Sequence, residues 1–578
     1  MKSGVSSVGV AVTLGLALVV TSIHGEAQRQ TPRRGGPRDW SHGRVIATRF
    51  GPDLDRNLAA DWRTQLKHAR LETARARREA MMEWLNTTQP SRKQKASAEP
   101  EAPHLDWNLR TGGYGYVAGY PAKYSFDISA SNCSDVIYFP VDQAGAASIV
   151  NLIAIRNPYA GCPGNAAGAT PTVKFGLRLP YGVPTSPVPN IDGTILYVIE
   201  SRPSANGGPI LHAINVNNIT TTVGTYNFGT TNWSNAHTLV TSPTGTASEQ
   251  LFQLTYAGVT NTLSSPYLDY WTNQLFFGDS AGRIHRVTNV DTAAAAKDTT
   301  NFPVQCGTTM LQSPVFWNGQ IIVSSFDGRL YRIDTTVPPP YTCVASALTG
   351  TGSGGGGLSA PVLDVSNNKI IVQTNDANGS GVRRLFLFDL MFASGASYVS
   401  GAYLGAGSTT IASTTSPSFD DAFWSTNNGN IYAVGAPTSG AGTYLIRVPY
   451  NGSTLGTPSG FATLFRSGGA ETVYTSPVTE FLTASSLANP DFVFVGGATT
   501  NYRYINRISS GFGGGDGTPV AMDGSFQPVG AGGVYSGIII DTNTTAVTGS
   551  TATANVYFGT VGVASTLQSY IVQLAQQF

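Results

Sequence analysis

The chain has 578 residues, of which only 12% are charged, and a net charge of +1 at pH 7. That balance excludes a general electrostatic pull toward nucleic acid or an acidic membrane surface. Its 66 glycines, with apolar and aromatic residues recurring throughout, suit a turn-rich all-β protein and exclude a disordered chain.

The chain opens on a targeting pattern. Lys2 precedes an apolar run over residues 8–20, and Gly25-Glu26-Ala27 places small residues where a signal peptidase reads. The run is too short to cross about 30 Å of hydrocarbon, so residues 1–27 read as a secretory signal. No later run reaches the roughly 18 apolar residues of a spanning helix. The mature protein is expected to be soluble and outside the cytoplasm, either periplasmic or extracellular.

Residues 28–104 read as a basic helical extension followed by a linker. Nearly half of the Lys and Arg lie between Arg29 and Lys95. Leu58, Trp62, Leu66, Ala69, Thr73, Ala76, Ala80 and Trp84 recur at helical spacing, which predicts a helix over about 55–85. The stretch SRKQKASAEPEAP, residues 91–103, has linker composition.

From Leu105 to the end a repeat takes over. Its pattern is Ser-Pro-Val-x-Asp, a turn, a short apolar strand, a hairpin, then a strand of alternating apolar residues. The tightest copy, residues 313–334, contains SSFDGRLYRID; others begin at Ser186, Ser265, Ala360, Ser416, Ser476 and Ser536, with a looser one at Ala122. Eight copies at intervals of roughly 50–80 residues, each with three clear strands and a weaker fourth, predict an eight-bladed β-propeller over 105–578, with seven blades as the alternative. Asp327-Gly328 then marks a hairpin turn within one blade, and Ala281-Gly282 and Ala441-Gly442 are its equivalents. The last copy lacks a fourth strand. The aromatic run GGYGYVAGY, residues 112–120, is expected to supply it and close the ring.

Four cysteines allow three pairings. The local pairs Cys133–Cys162 and Cys306–Cys343 are the expected ones, each stapling one β unit in an oxidising compartment. The spacings contain no CxxC and so argue against zinc.

The tight copies resemble the repeats of quinoprotein-type (PQQ-repeat) propellers, in which a strand, Asp-Gly and Leu-Tyr-x-Leu-Asp form the core. The resemblance implies the propeller fold, for which eight is a common blade number. The family's quinone-dependent enzymes carry a disulfide between adjacent cysteines and a Gly-Trp-rich docking signature. This chain has neither, so no cofactor is expected. The comparison that fits is with the non-enzymatic members, which act as scaffolds in the bacterial envelope.

Candidate sites follow from the repeat. Ser186, Ser265, Ser313, Ser416 and Ser476, with Ser359 and Ser536, are expected to ring one mouth of the central channel, where hydroxyls bind a polar ligand or simply satisfy backbone groups at the turn. His212 and His285 share a repeat position with Tyr331, Phe386 and Tyr504, which points to packing and not to a shared metal. Asp127, Asp269, Asp364, Asp420, Glu480 and Asp541 recur at the end of the first strand. One acid per blade does not supply the convergent pair a glycosidase needs. Neither residues 375–381 nor 53–58 complete a calcium loop, and residues 354–357 precede a strand and not a phosphate-binding helix. The expected role is therefore a binding or assembly scaffold for an envelope or extracellular protein or polysaccharide, without a catalytic set. A carbohydrate-active propeller using channel-mouth carboxylates is the alternative.

Overall fold

The second strand of the repeat is apolar at successive positions, where a half-exposed strand would alternate. Ile195–Glu200 and Gln320–Ser324 are buried along their whole length. Such strands need cover on both faces. The computed structural model supplies it by stacking antiparallel sheets face to face. It describes residues 36–40, 44–46 and most of 104–576, leaving out 1–35, 41–43, 47–103 and several connecting stretches between strands. The predicted helix over 55–85 and the linker lie outside the described residues.

The sheets follow one another in chain order. The first holds Ala122–Ser125, Val136–Pro140, Leu152–Arg156 and Thr172–Arg178; the second holds Val188–Pro189, Ile195–Glu200, Ile210–Asn215 and Gln250–Thr255. The third runs Tyr267–Asp269, Gln274–Gly278 and Arg283–Thr288, with its outer edge shared by Ala296–Lys297 and Val304–Gln305. The fourth, Val315–Trp317, Gln320–Ser324, Leu330–Asp334 and Cys343–Ala345, is the SSFDGRLYRID copy. Sheets beginning at Val362–Asp364, Ser418–Phe419, Thr479–Leu482 and Ile539–Asp541 continue the series.

First strands of neighbouring sheets touch, as Ala122–Ser125 touches Val188–Pro189 and Thr479–Leu482 touches Ile539–Asp541. First strands therefore lie innermost. Apolar side chains fuse the sheets pairwise. One continuous core runs from Val188 in the second sheet to Phe392 beyond the fifth. Another joins Ile539, Tyr557 and Ile571 of the last sheet to Ile137 and Ile153 of the first. The series closes on itself, which makes the fold a β-propeller.

Backbone hydrogen bonding also closes the ring. His104–Arg110 pairs antiparallel with Tyr570–Gln576, His104 opposite Ala575 and Arg110 opposite Tyr570. An N-terminal strand thus completes the C-terminal sheet, as expected, but the strand is not 112–120. That glycine-rich run is the crossing from the outer edge of the last sheet to the inner edge of the first. Gly112 has φ +87°, and a side chain there would strike the Ser148 carbonyl. The HLDWNLR stretch just before it has the side chains that a strand packs, with Trp107 and Leu109 buried.

The hairpin of the fourth sheet has the expected turn. Ser324 pairs with Leu330, and Gly328 sits at φ +80°, where Gly282 of the third sheet sits at φ +81°. Only glycine enters this region without steric cost.

Candidate functional site

The serine positions lie at the starts of the inner strands. Each stands just before an innermost strand, and Ser186, Ser265, Ser313, Ser416 and Ser476 are all buried. They form a relay between blades. The Tyr120 amide donates to Ser186 Oγ at 2.8 Å, the Ser186 amide to Ser265 Oγ at 2.9 Å, and the Ser265 amide to Ser313 Oγ at 2.8 Å. Tyr120-Pro121 occupies in the first sheet the place that Ser-Pro holds elsewhere. Further round, Ser359, Ser476 and Ser536 accept from amides of their own second strands, at Gln373, Gly496 and Gly559 (3.0, 2.8 and 2.6 Å). A backbone N–H at the start of an inner strand cannot reach water, and the hydroxyl satisfies it.

Ser416 differs, because it faces a side chain from the N-terminal extension. Arg44 Nη1 donates to Ser416 Oγ and to the Ala360 carbonyl at 2.7 Å. The guanidinium lies 5.4 Å from the Trp40 ring and 6.0 Å from that of half-buried Tyr120. Burial pushes Arg44 down from its ordinary value, and Tyr120 works against that shift. Trp40 Nε1 donates to the Pro266 carbonyl at 3.1 Å, and its ring meets Tyr267 edge-on at 6.2 Å. The Tyr270 hydroxyl donates to Asp39 at 3.1 Å. The backbone on either side is paired: Gly36–Arg38 runs antiparallel to Ala122–Ser125, and Val45–Ile46 parallel to Val362–Asp364. Residues 36–40 and 44–46 thus reach inner strands from the first sheet to the sixth. Sequence reading missed them; the available signal was Trp40, an aromatic outside the helical register in a charged segment.

Three of the recurrent acids, Asp269, Asp364 and Asp420, cap turns. Asp269 accepts from the Thr272 amide at 3.3 Å, and Asp420 from the amides of Phe423 and Asn430 at 2.9 and 2.8 Å. Asp364 accepts from Asn367 Nδ2 at 2.7 Å and from the Tyr450 hydroxyl at 2.8 Å. It is fully buried, and burial pushes its carboxyl up to about 6 against the pull of those donors. A raised carboxyl suits a general acid only where substrate reaches it. Here the carboxyl is sealed beneath Tyr450. The side chains of Asp127 and Asp541 lie outside the described residues.

The shared position of His212, His285 and Tyr331 has one physical role. Each donates to a carboxylate at the hairpin: His212 to Glu200 at 2.9 Å, His285 to Asp279 at 2.8 Å, and Tyr331 to Asp327 at 2.6 Å. Gln250 Nε2 donates to His212 Nδ1 at 2.9 Å, which leaves Nε2 as the protonated nitrogen. Strand aromatics pack as well: Trp233 is buried edge-on against Tyr226 at 5.1 Å, and Trp317 is buried too.

Both disulfides have the local pairing. Cys133–Cys162 staples the rim of the first sheet beside Tyr159. Cys306–Cys343 does something other than hold one unit. It joins the residue after Val304–Gln305 to the first residue of Cys343–Ala345, and so links the outer edges of the third and fourth sheets. Outer strands of a radial array diverge most, so a crosslink there resists separation of blades.

No protein-family model and no curated protein matches the chain. Similar solved structures include the computationally designed protein Ika8, at 10% identity and TM-score 0.41, covering 82% of this chain and 99% of that one. BamB from Moraxella catarrhalis follows at 9% and 0.37, covering 83% and 98%. Sqt1 from Saccharomyces cerevisiae stands at 11% and 0.44, covering 82% and 99%. Likenesses this distant carry no argument about a site or a partner, and the fold rests on the closed series of sheets. Among the described residues no helix is long and apolar enough to cross a membrane.

Proposed function

We propose that this protein is an exported, eight-bladed propeller of quinoprotein-like type that works as a binding or assembly scaffold. Its partner is an envelope or extracellular protein or polysaccharide, and its work is done without chemistry on that partner. The observation that carries the reading is the use made of the repeat's polar residues. Ser186, Ser265 and Ser313 clasp neighbouring blades, Asp269, Asp364 and Asp420 cap turns, and the hairpin acids hold His212, His285 or Tyr331. Two disulfides support an oxidising compartment. A rigid ring with variable connections is a platform that presents loops.

The test is cross-linking of the tagged full chain in its native host, followed by capture from the envelope and culture fractions and a glycan array. The expected result is a mature chain beginning at Gln28, recovered outside the cytoplasm with a stoichiometric protein or glycan partner. A chain that keeps residues 1–27 and stays in the cytoplasm with four reduced cysteines overturns the reading.

A further inference from the structure

The chain's own N-terminal segment lies against the inner strands, and the manner of contact is that of a ligand. Two features separate residues 36–46 from an ordinary connection. The ends are held by backbone pairing to inner-strand edges, Gly36 opposite Ser125 and Val45 opposite Leu363. Such addition to a sheet edge is a general mode of peptide recognition, with side-chain pockets supplying selectivity. Between the paired ends, two large side chains are buried side by side, with the Arg44 guanidinium 5.4 Å from the Trp40 ring. Trp40 is 3% exposed, inside the core shared by the second to fifth sheets, with its indole N–H on Pro266. Arg44 is 6% exposed, with its guanidinium shared by Ala360, Ser416 and the faces of Trp40 and Tyr120. Pro266, Ala360, Ser416 and Tyr120 all belong to the Ser-Pro level of the ring, so four blade positions converge on two side chains.

The described partners of Arg44 are a carbonyl, a hydroxyl and aromatic faces. A guanidinium held this way loses hydration without gaining a carboxylate, which limits intrinsic affinity. Tethering offsets that loss, because a covalently joined segment acts at an effective concentration near millimolar. A free segment of the same sequence therefore competes poorly with the tethered one, and binds once the tethered one is disabled.

We propose that the inner-strand edges and the Ser-Pro positions together form a binding site for an extended peptide carrying a Trp and an Arg four residues apart, with the segment that carries Trp40 and Arg44 as its tethered occupant. The proposal goes beyond the scaffold reading and does not depend on the identity of any external partner.

The probe is a fluorescein-labelled synthetic peptide of residues 35–46, read by anisotropy against the purified full chain. Unmodified chain is expected to leave it unbound at micromolar concentrations. The full chain carrying Trp40→Ala and Arg44→Ala is expected to bind it saturably at one per chain. A peptide bearing the same two substitutions is expected to bind at least about tenfold more weakly, since buried Trp and Arg anchors dominate such interfaces. Near-UV circular dichroism and a cooperative melt establish that the variant is folded. Should the double variant fail to fold, Arg44→Lys, which keeps the charge and loses the planar fork, takes its place. A folded variant that leaves the peptide unbound, or binds both peptides equally, overturns the proposal.

Discussion

The Tyr331 hydroxyl donates to Asp327 at 2.6 Å, as the His285 imidazole donates to Asp279 at 2.8 Å in the preceding sheet. The Asp-Gly of SSFDGRLYRID therefore serves the turn and the third strand of its own blade at once. Asp327 also accepts from the Arg329 amide at 3.0 Å. Tyr331→Phe is expected to cost about 1 kcal/mol and Asp279→Ala about 2–3 kcal/mol, because the second leaves buried donors unmet. Chemical denaturation of the two variants measures this; a change below about 0.5 kcal/mol in both contradicts the assigned role.

The disulfides close separations of 29 and 37 residues. In the chain-entropy model each stabilises by about 4 kcal/mol. Peptide mapping of the exported protein without reduction should recover Cys133 with Cys162 and Cys306 with Cys343. Cys306→Ser/Cys343→Ser should lower the melting temperature, and a crossed pairing contradicts the fold as described.

Asp364 and Asp279 give opposite pH dependences. Burial raises Asp364 to about 6, so the folded state holds its proton more tightly than the unfolded one. Its contribution is full below the unfolded value near 4 and is lost as pH rises through 6, by up to about 3 kcal/mol. Burial also opposes ionisation of Asp279, but His285 and the Arg283 amide and guanidinium win and hold it below its ordinary value. Its contribution is full above the ordinary carboxylate range and is lost as pH falls below it. Denaturation midpoints between pH 4 and 7 should fall less steeply in Asp364→Asn than in the unmodified chain. Parallel profiles contradict the assignment.

The propeller was legible because its signals are local and repeated. Apolar runs such as Gln320–Ser324, glycine-containing hairpin turns and Ser-Pro starts recur roughly every 50–80 residues. The closing segment was legible as a need but misplaced by a few residues, since the aromatics of 112–120 mimic a strand while their glycines forbid its packing. Residues 36–46 were not legible, because Trp40 and Arg44 find partners 226 and 316 residues away and no periodicity announces a contact of that range. Likewise the Ser-Pro positions marked the starts of inner strands, while the recipient of each hydroxyl depended on how neighbouring blades abut.

The basic stretch beyond residue 46 is proposed as an appendage, with the first tryptic cut at Arg92, Lys93 or Lys95. After that cut the N-terminal fragment should remain with the propeller on gel filtration, anchored by Trp40 and Arg44. Immediate loss of the fragment from an otherwise folded propeller contradicts that anchorage.

The central claim is that this propeller binds and does not turn over its partner. The direct measurement is product release from a panel of envelope and extracellular polysaccharides incubated with purified full chain, scored as new reducing ends and unsaturated products. The account predicts release equal to buffer alone, with any retained glycan recovered intact. Release above buffer that disappears in Asp269→Asn or Asp420→Asn, with the fold unchanged, would contradict it.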